Sequence, residues 1–378
     1  MQPLRVVLAD VIPKNIPKPD AEKHFAELVR LIETLGGYTV VKVIQRRGKP
    51  SSKTYLGSGK AVEVGETAQE LKCDIVVVNG ILKGNQYFEL SERIPKPIQI
   101  LDRVDVILRI FEKHAKTAEA KLQIKRAQLA YEIPKIYRRS ATTLFERERG
   151  GGVIQRGAGE TGIEAEKRHL KEHIRRIDKQ IEQMQKIRGN QRRNRKRQGF
   201  LTVALVGYTN SGKSTLLKAL THKRGVYIAD ELFATLDSRI GSLWLPKLQK
   251  KILLADTIGF IENLPPDLIA AFRATLEEVS EADLLLHVFD ASDSRVEISR
   301  KKMVVNEILA QLECKQPQLY VANKMDIAKK SIPRKSIGVS AVTGKNLEGL
   351  VMAIEEKLGV VIPTSLVIPA KAGIQKEL

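Results

Sequence analysis

Along the first hundred residues the apolar positions change period several times. "AEKHFAELVRLIETLGG" carries its Leu, Ile and Phe at helical spacing and stops at glycines, whereas "YTVVKVIQ", "DIVVVN" and "PIQILD" are short, β-branched runs. A further helical pattern, "GKAVEVGETAQELK", separates the first two of these runs. Strand–helix alternation of this kind predicts a small parallel α/β subdomain over residues 1–104. "YLGSGK", Tyr55 to Lys60, lacks phosphate-loop spacing and reads as a plain strand-to-helix turn.

From Leu108 onward the period is that of a helix. Leu108, Phe111, Ala115, Ala118, Leu122, Leu129, Ile133 and Ile136 form one heptad-like seam, and Leu170, Ile174, Ile177, Ile181 and Met184 form another. Between them lies the glycine-rich "ERERGGGVIQRGAGETG", which opposes a continuous helix. It is also longer than the roughly 2–8 residues that an ordinary helix connection needs. The pattern predicts a long helical hairpin over residues 105–198, with a flexible, Arg-bearing loop at Arg147, Arg149 and Arg156 and a basic linker at its end. Buried-strand runs return at "LTVALVG" and alternate with helices through "KKILLAD", "DLLLHVFDA", "PQLYVANK" and "SIGVSA" to "LEGLVMAIEEKLG". That order predicts a doubly wound α/β domain over 199–360, with ligands at the C-terminal ends of its strands. Residues 361–378 read as a disordered or appended tail.

Charge changes the picture. The 378 residues hold 64 Lys+Arg against 44 Asp+Glu, a formal +20, which implies a polyanionic partner. "RGNQRRNRKR", Arg188 to Arg197, concentrates six basic residues without an acid. That partner is either nucleic acid, DNA not being expected, or an anionic membrane surface. A membrane surface is disfavoured because no basic helix is also aromatic-rich and amphipathic. No apolar run approaches the ~18 residues of a membrane span, and the first residues do not resemble a signal peptide. The two cysteines, Cys73 and Cys314, are far apart and lack metal-ligand spacing, so a cytoplasmic location is expected. A monomer is also expected.

The chemistry sits in the second half. "GYTNSGKS" follows a strand and precedes a helix, the context of a phosphate-binding P-loop. The amides of Gly207, Tyr208, Thr209, Asn210, Ser211 and Gly212 would cradle phosphates, with Lys213 reaching the β- and γ-phosphates, Ser214 ligating Mg²⁺ and Thr215 following it. In "ELFATLD", Thr235 is the candidate switch ligand for Mg²⁺ and the γ-phosphate, flanked by Phe233, Ala234, Leu236 and Asp237. Asp256 ends a strand where a carboxylate would hold Mg²⁺ through water, and Thr257 and Ile258 lead to Gly259. The Gly259 amide can approach the γ-phosphate because no side chain blocks it. Lys213, Thr235 and Gly259 are therefore the candidate catalytic set. In "NKMD", Asn323 to Asp326, the Asp326 carboxylate can accept two hydrogen bonds from guanine, Lys324 can lie along the base, and Met325 sits between them. The loop Ser340, Ala341, Val342 would offer an amide to guanine O6. The joint order of these motifs selects GTP. Phe260 stands where Ras-like enzymes carry the glutamine that orients water.

"GYTNSGKST", "ELFATLDS", "DTIGFIENLPPDLIAAFRATLEE" and "NKMD", together with "GGGVIQRGAGETGIEAEKR" upstream, resemble the HflX-type GTPases of the Obg/HflX group over nearly the whole chain. The resemblance implies GTP hydrolysis, binding to the large ribosomal subunit and a part in splitting stalled ribosomes under stress. It also implies a hydrophobic residue at the Phe260 position. Without the glutamine, water must be oriented by another group or by the partner, so slow intrinsic turnover and a ribosome-bound activated state are expected. The family's usual alanine before the P-loop Gly-Lys is Ser211 here, and many members carry a further C-terminal domain. The alternative reading is an RNA-binding module that uses its nucleotide only as an affinity switch.

Overall fold

The computed structural model describes residues 3–17, 21, 24–149, 158–221, 233, 239–262, 268, 273–329 and 332–361. By contact the chain forms two compact units. The first comprises Met1–Arg193 with Ala229–Asp237 and Glu262–Thr275; the second comprises Asn194–Ile228 with Ser238–Ile261 and Leu276–Leu378.

The first unit is built on four strands, β1 (Leu4–Ile12), β2 (Gly37–Arg46), β3 (Ile75–Val78) and β4 (Gln99–Asp102). They pair in parallel in the order β2-β1-β3-β4. Helices α1 (Ala26–Leu35), α2 (Ser58–Glu70), α3 (Gly84–Ser91) and α4 (Arg103–His114) connect or follow them. Val7, Ala9, Val76 and Val78 are buried with Leu56, Val64 and Leu90 in one cluster, as expected of parallel strands with covered faces. Asp102 caps helix α4: its side chain accepts from the Asp105 amide at 3.0 Å, and the Asp105 carboxylate accepts from the Asp102 amide at 3.1 Å.

Two long helices follow, α5 (Ala118–Arg149) and α6 (Ala158–Arg197). Leu129, Ile177 and Ile181 are buried against Leu122, Leu170 and Ile174, so the two heptad-like seams face each other. Both helices run further than the glycine pattern suggests, and the basic stretch expected as a linker forms the last turns of α6. Arg, Lys and Gln are strong helix formers and outweigh the roughly 1 kcal/mol cost of Gly189. Ion pairs of Arg188 with Glu119 and of Arg195 with Glu278 brace these turns. The unit boundary falls after Arg193, within this helix.

The second unit contains β5 (Thr202–Val206), α7 (Lys213–Thr221), β6 (Arg239–Leu245), β7 (Lys250–Asp256), α8 (Arg273–Ser280, which reaches it from the first unit), β8 (Leu284–Asp290), α9 (Arg295–Gln311), β9 (Gln318–Asn323), β10 (Ser336–Gly338) and α10 (Leu347–Val361). The sheet order is β10-β9-β8-β5-β7-β6. The sheet is parallel except at β6, an antiparallel edge strand that the sequence reading passes over. Its alternation is the signature of a strand with one covered face: Leu243 and Leu245 are buried while Trp244 is exposed. The chain leaves β5 for β6 and then β7 on one side and later reaches β8 on the other. The C-terminal end of β5 is thus the topological switch point where a ligand crevice is expected. Among the described residues no helix is long and apolar enough to cross a membrane.

Candidate nucleotide site

At that end of β5 the chain turns through Gly207–Gly212 into α7. Asn210 takes a left-handed φ of 60°, which asparagine tolerates. Gly212 has φ 86°, and a Cβ there would lie 2.2 Å from Asn323 Nδ2, so both backbone and space require glycine. Lys213 opens the helix and is buried. Its ammonium donates to the carbonyls of Tyr208 at 3.0 Å and Gly207 at 3.2 Å. Burial pushes its pKa down to about 8, against the opposing pull of Asp256. The hydroxyls of Thr209 and Ser211 are buried in the loop and meet no hydrogen-bond partner among the described residues.

The turn after β7 is stitched to this loop by main-chain bonds. Thr209 N–H donates to the Phe260 carbonyl at 2.8 Å, and Phe260 N–H donates to the Gly207 carbonyl at 3.1 Å. Thr257 adds a hydroxyl bond to the Leu205 carbonyl at 2.6 Å. Asp256 is fully buried and accepts from the Ser214 hydroxyl at 2.6 Å. A Cβ on Gly259 would lie 2.8 Å from Thr209 Cα and 3.1 Å from Lys213 Nζ, an approach only glycine allows. The Phe260 side chain is buried, so this residue contributes through its backbone. Ile258 is buried beside it, and Tyr208 lies under the Lys301 ammonium, 5.4 Å from the ring centroid.

"NKMD" adjoins the same loop. Asn323 Nδ2 donates to the Ser211 carbonyl at 3.0 Å, and its Oδ1 accepts from Ala341 N–H at 3.0 Å. Asn323 is therefore a strut between the P-loop and the Ser340–Val342 loop, and the Ala341 amide that sequence reading aims at a base is given to it. The Asp326 Oδ1 accepts from the Ser340 hydroxyl at 2.5 Å. Lys324, with φ 66°, pairs with Asp290 at 2.7 Å. Burial works to raise the Asp290 pKa, but Lys324 and the Ser292 hydroxyl and amide hold it below the usual value. Met325 packs with Phe289 and Ala322, and Val342 is exposed. Thr215 is half-buried in the first turn of α7.

Phe233 is buried in the first unit, its ring edge-on to Phe111 with centroids 4.5 Å apart. Ala234, Thr235, Leu236 and Asp237 fall outside the described residues, as do the side chains of Arg147, Arg149 and Arg156. Sequence reasoning missed the strut role of Asn323, the main-chain bridge at Phe260 and the Asp290–Lys324 pair. The motif spacing names the residues, but their partners come from distant strands.

Three family models match in succession: "GTP-binding GTPase N-terminal" over residues 22–112, "GTP-binding GTPase Middle Region" over 114–195 and "50S ribosome-binding GTPase" over 202–324. The GTPase HflX of Alkalihalophilus pseudofirmus is 38% identical over 365 residues, covering 95% of this chain and 84% of that protein. The GTPase HflX of Escherichia coli K12 is 37% identical over 358 residues, 92% and 82% of the two chains. The crystal structure of the SsGBP–GDP complex shares the fold with a TM-score of 0.51 and 24% identity, covering 95% of this chain and all of that one. The molecule is a P-loop GTPase, a GTP hydrolase whose nucleotide domain is preceded by an α/β subdomain and a helical hairpin. The chain belongs to the HflX GTPase family.

Proposed function

We propose that GTP binds with its phosphates on the Gly207–Thr215 loop and its base at Asp326, and that the GTPase works on the large ribosomal subunit. The observation that carries the nucleotide assignment is the hydrogen-bonded convergence of the P-loop, the Asp256–Phe260 turn and the Asn323 strut within one unit. Buried, unpartnered hydroxyls on Thr209 and Ser211 supply polar atoms where phosphates would lie. Ser214 and Asp256, only 2.6 Å apart, fit Mg²⁺ by donor chemistry, with Thr235 as the further ligand. No cluster of three or more His, Cys, Asp or Glu is placed to hold a metal among the described residues, which suits an ion held jointly with phosphate oxygens. When bound, the ion neutralises charge on the β- and γ-phosphates. Lys213 does the same from the protein side, and the amides of the loop hold the phosphates in line. Phe260 cannot orient water, so another group or the ribosome does so, and turnover is slow without it.

The ribosomal role is supported by two helices of 32 and 40 residues ending in a basic stretch, and by the family to which the chain belongs. In this role it splits stalled ribosomes in the cytoplasm. Co-sedimentation with separated subunits, in GDP and in a non-hydrolysable GTP analogue, tests it. The large subunit should be retained preferentially in the analogue, and single-turnover hydrolysis should accelerate on adding it. Equal binding to both subunits in both nucleotides would remove the ribosomal assignment. Preferential binding without acceleration would favour the affinity-switch alternative.

A further inference from the structure

Strand β4 ends one side of the first sheet and pairs only with β3. Successive amides along a strand point to opposite edges. Gln99 N–H donates to the Asp74 carbonyl at 3.0 Å, on the β3 side, so the amide and carbonyl of Ile100 point outward. Local bonds close the outer edge at its two ends. Ile98 N–H donates to the Pro95 carbonyl at 3.1 Å, and Asp102 N–H donates to the Asp105 carboxylate at 3.1 Å. Between them Ile100 is 6% exposed, and its outward amide and carbonyl meet no hydrogen-bond partner among the described residues. A buried donor and acceptor left open in this way are costly until something fills them.

Ile100 borders a cleft of about 460 Å³ between β4, α3, α4 and α5, all within the first unit. Tyr87, Ile94, Leu108 and Tyr131 give the cleft an apolar and aromatic lining. Four cations, Lys96, Arg109, Lys125 and Lys135, face two acids, Asp105 and Glu132. Lys135 is held by Asp105 at 2.7 Å and lies over the Tyr131 and Tyr87 rings, 4.4 and 5.1 Å from their centroids. Arg109 donates to Gln99 Oε1 at 3.2 Å. Lys96 and Lys125 are exposed and form no ion pair among the described residues. A second hollow, of about 610 Å³, shares Lys96, Ile98, Gln99 and Arg109 with the first and adds Lys72. A basic groove therefore follows the open edge past the start of β4.

We propose that this groove docks an extended, acidic segment of a partner protein, which adds to β4 as a further strand. A peptide residue beside Ile100 brings one donor and one acceptor at the interstrand spacing of about 4.8 Å, so both open groups are satisfied. A phosphodiester strand brings acceptors but no donor for the Ile100 carbonyl. The four residues of β4 offer about 13 Å of edge. Side chains alternate along the added strand. Apolar ones rest on Ile94 and Tyr87, and acidic ones between them reach Lys96 and Lys125. The excess of cations in the groove sets the sign of the partner, and the backbone pairing sets its extended form.

The test uses the full chain and three labelled, end-capped hexapeptides. One alternates Val and Glu, one alternates Val and Lys, and the third is the Val/Glu peptide with its backbone amides N-methylated. Fluorescence anisotropy measures binding, and amide hydrogen exchange reads Ile100. The Val/Glu peptide should bind saturably and slow exchange at Ile100 by about ten-fold when present at about ten times its Kd. The Val/Lys and N-methylated peptides should bind about ten-fold more weakly or worse. The Lys96→Glu/Lys125→Glu double variant changes exposed residues only. It should keep the parental rate of intrinsic GTP hydrolysis and reverse the preference in favour of Val/Lys. Ile100→Pro takes the outward amide from an edge strand, where proline is tolerated, and should abolish binding. If that variant does not fold, the charge reversal and the N-methylated peptide decide the matter. No saturable binding of the Val/Glu peptide up to about 1 mM would overturn the proposal, as would binding that leaves Ile100 unprotected or is indifferent to N-methylation. A uridine hexanucleotide that binds more tightly than the Val/Glu peptide, and is lost in the double variant, would assign the groove to RNA instead.

Discussion

Lys213 is a charged group held in a fully buried place by two carbonyls, and that arrangement has a thermodynamic consequence. Its proton leaves near pH 8 in the folded protein but near 10.5 in the unfolded chain. Between those values the unfolded state holds the extra proton, so stability rises with pH across the window. Near pH 7 the buried charge costs on the order of 3 kcal/mol. Lys213→Met should therefore raise the melting temperature of the nucleotide-free protein while abolishing GTP binding. The stability difference between parent and variant should shrink as pH rises from 8 to 10. Denaturant midpoints at several pH values, beside a nucleotide titration, measure both effects. A variant less stable than the parent throughout would refute the burial cost.

At the scale of elements, Asp102 ties three of them together. It caps α4 through the Asp105 amide, accepts from Leu82 N–H at 2.9 Å and accepts from the Tyr131 hydroxyl on α5. Lys135, one turn beyond Tyr131, pairs with Asp105 at 2.7 Å. Burial, with the neighbouring Asp105 charge, raises the Asp102 pKa to about 6. A carboxyl with a raised folded pKa favours folding while protonated, so this contribution is lost as pH rises from about 4 through 6. Asp102→Asn should flatten stability over that window. It should also cost about 1–3 kcal/mol, because an amide nitrogen would face a buried donor. Chemical denaturation at pH 4, 5, 6 and 7 separates the two effects. The capping box was open to sequence reasoning, since Asp102 and Asp105 stand three residues apart before an apolar helix. The link to Tyr131 was not, because it joins residues 29 apart through a fold-dependent contact.

On the scale of the whole molecule, the charge of +20 includes both ion-paired and exposed arginines. Arg188 is bound to Glu119 at 2.5 Å and Arg195 to Glu278 at 3.2 Å, whereas Arg193 and Arg197 are exposed. Exposed cations that neutralise phosphates release counterions, each adding roughly 0.7–0.9 to the salt-dependence slope. On the proposed ribosomal function, the Arg193→Gln/Arg197→Gln double variant should weaken large-subunit binding and lower that slope by about 1.5. Arg188→Gln and Arg195→Gln should lower the melting temperature and leave the slope unchanged. Binding measured across a salt series, with melting curves for each variant, distinguishes the groups. An unchanged slope in the double variant would remove these two residues from the RNA contact.

Sequence alone determined the α/β class, the hairpin seams and the phosphate loop, because each depends on local spacing. A helix seam needs only its period, and a P-loop needs only glycines, Lys213 and Ser214 between a strand and a helix. Tertiary structure decided what those residues touch. It put the Phe260 side chain in the core and used its backbone as a bridge, made Asn323 a strut, and sorted the arginines of α6 into ion-paired and exposed groups. It also brought Arg103 to Glu262 across 159 positions of sequence. No local pattern encodes such a pair. Its partners meet only through tertiary packing within the first unit.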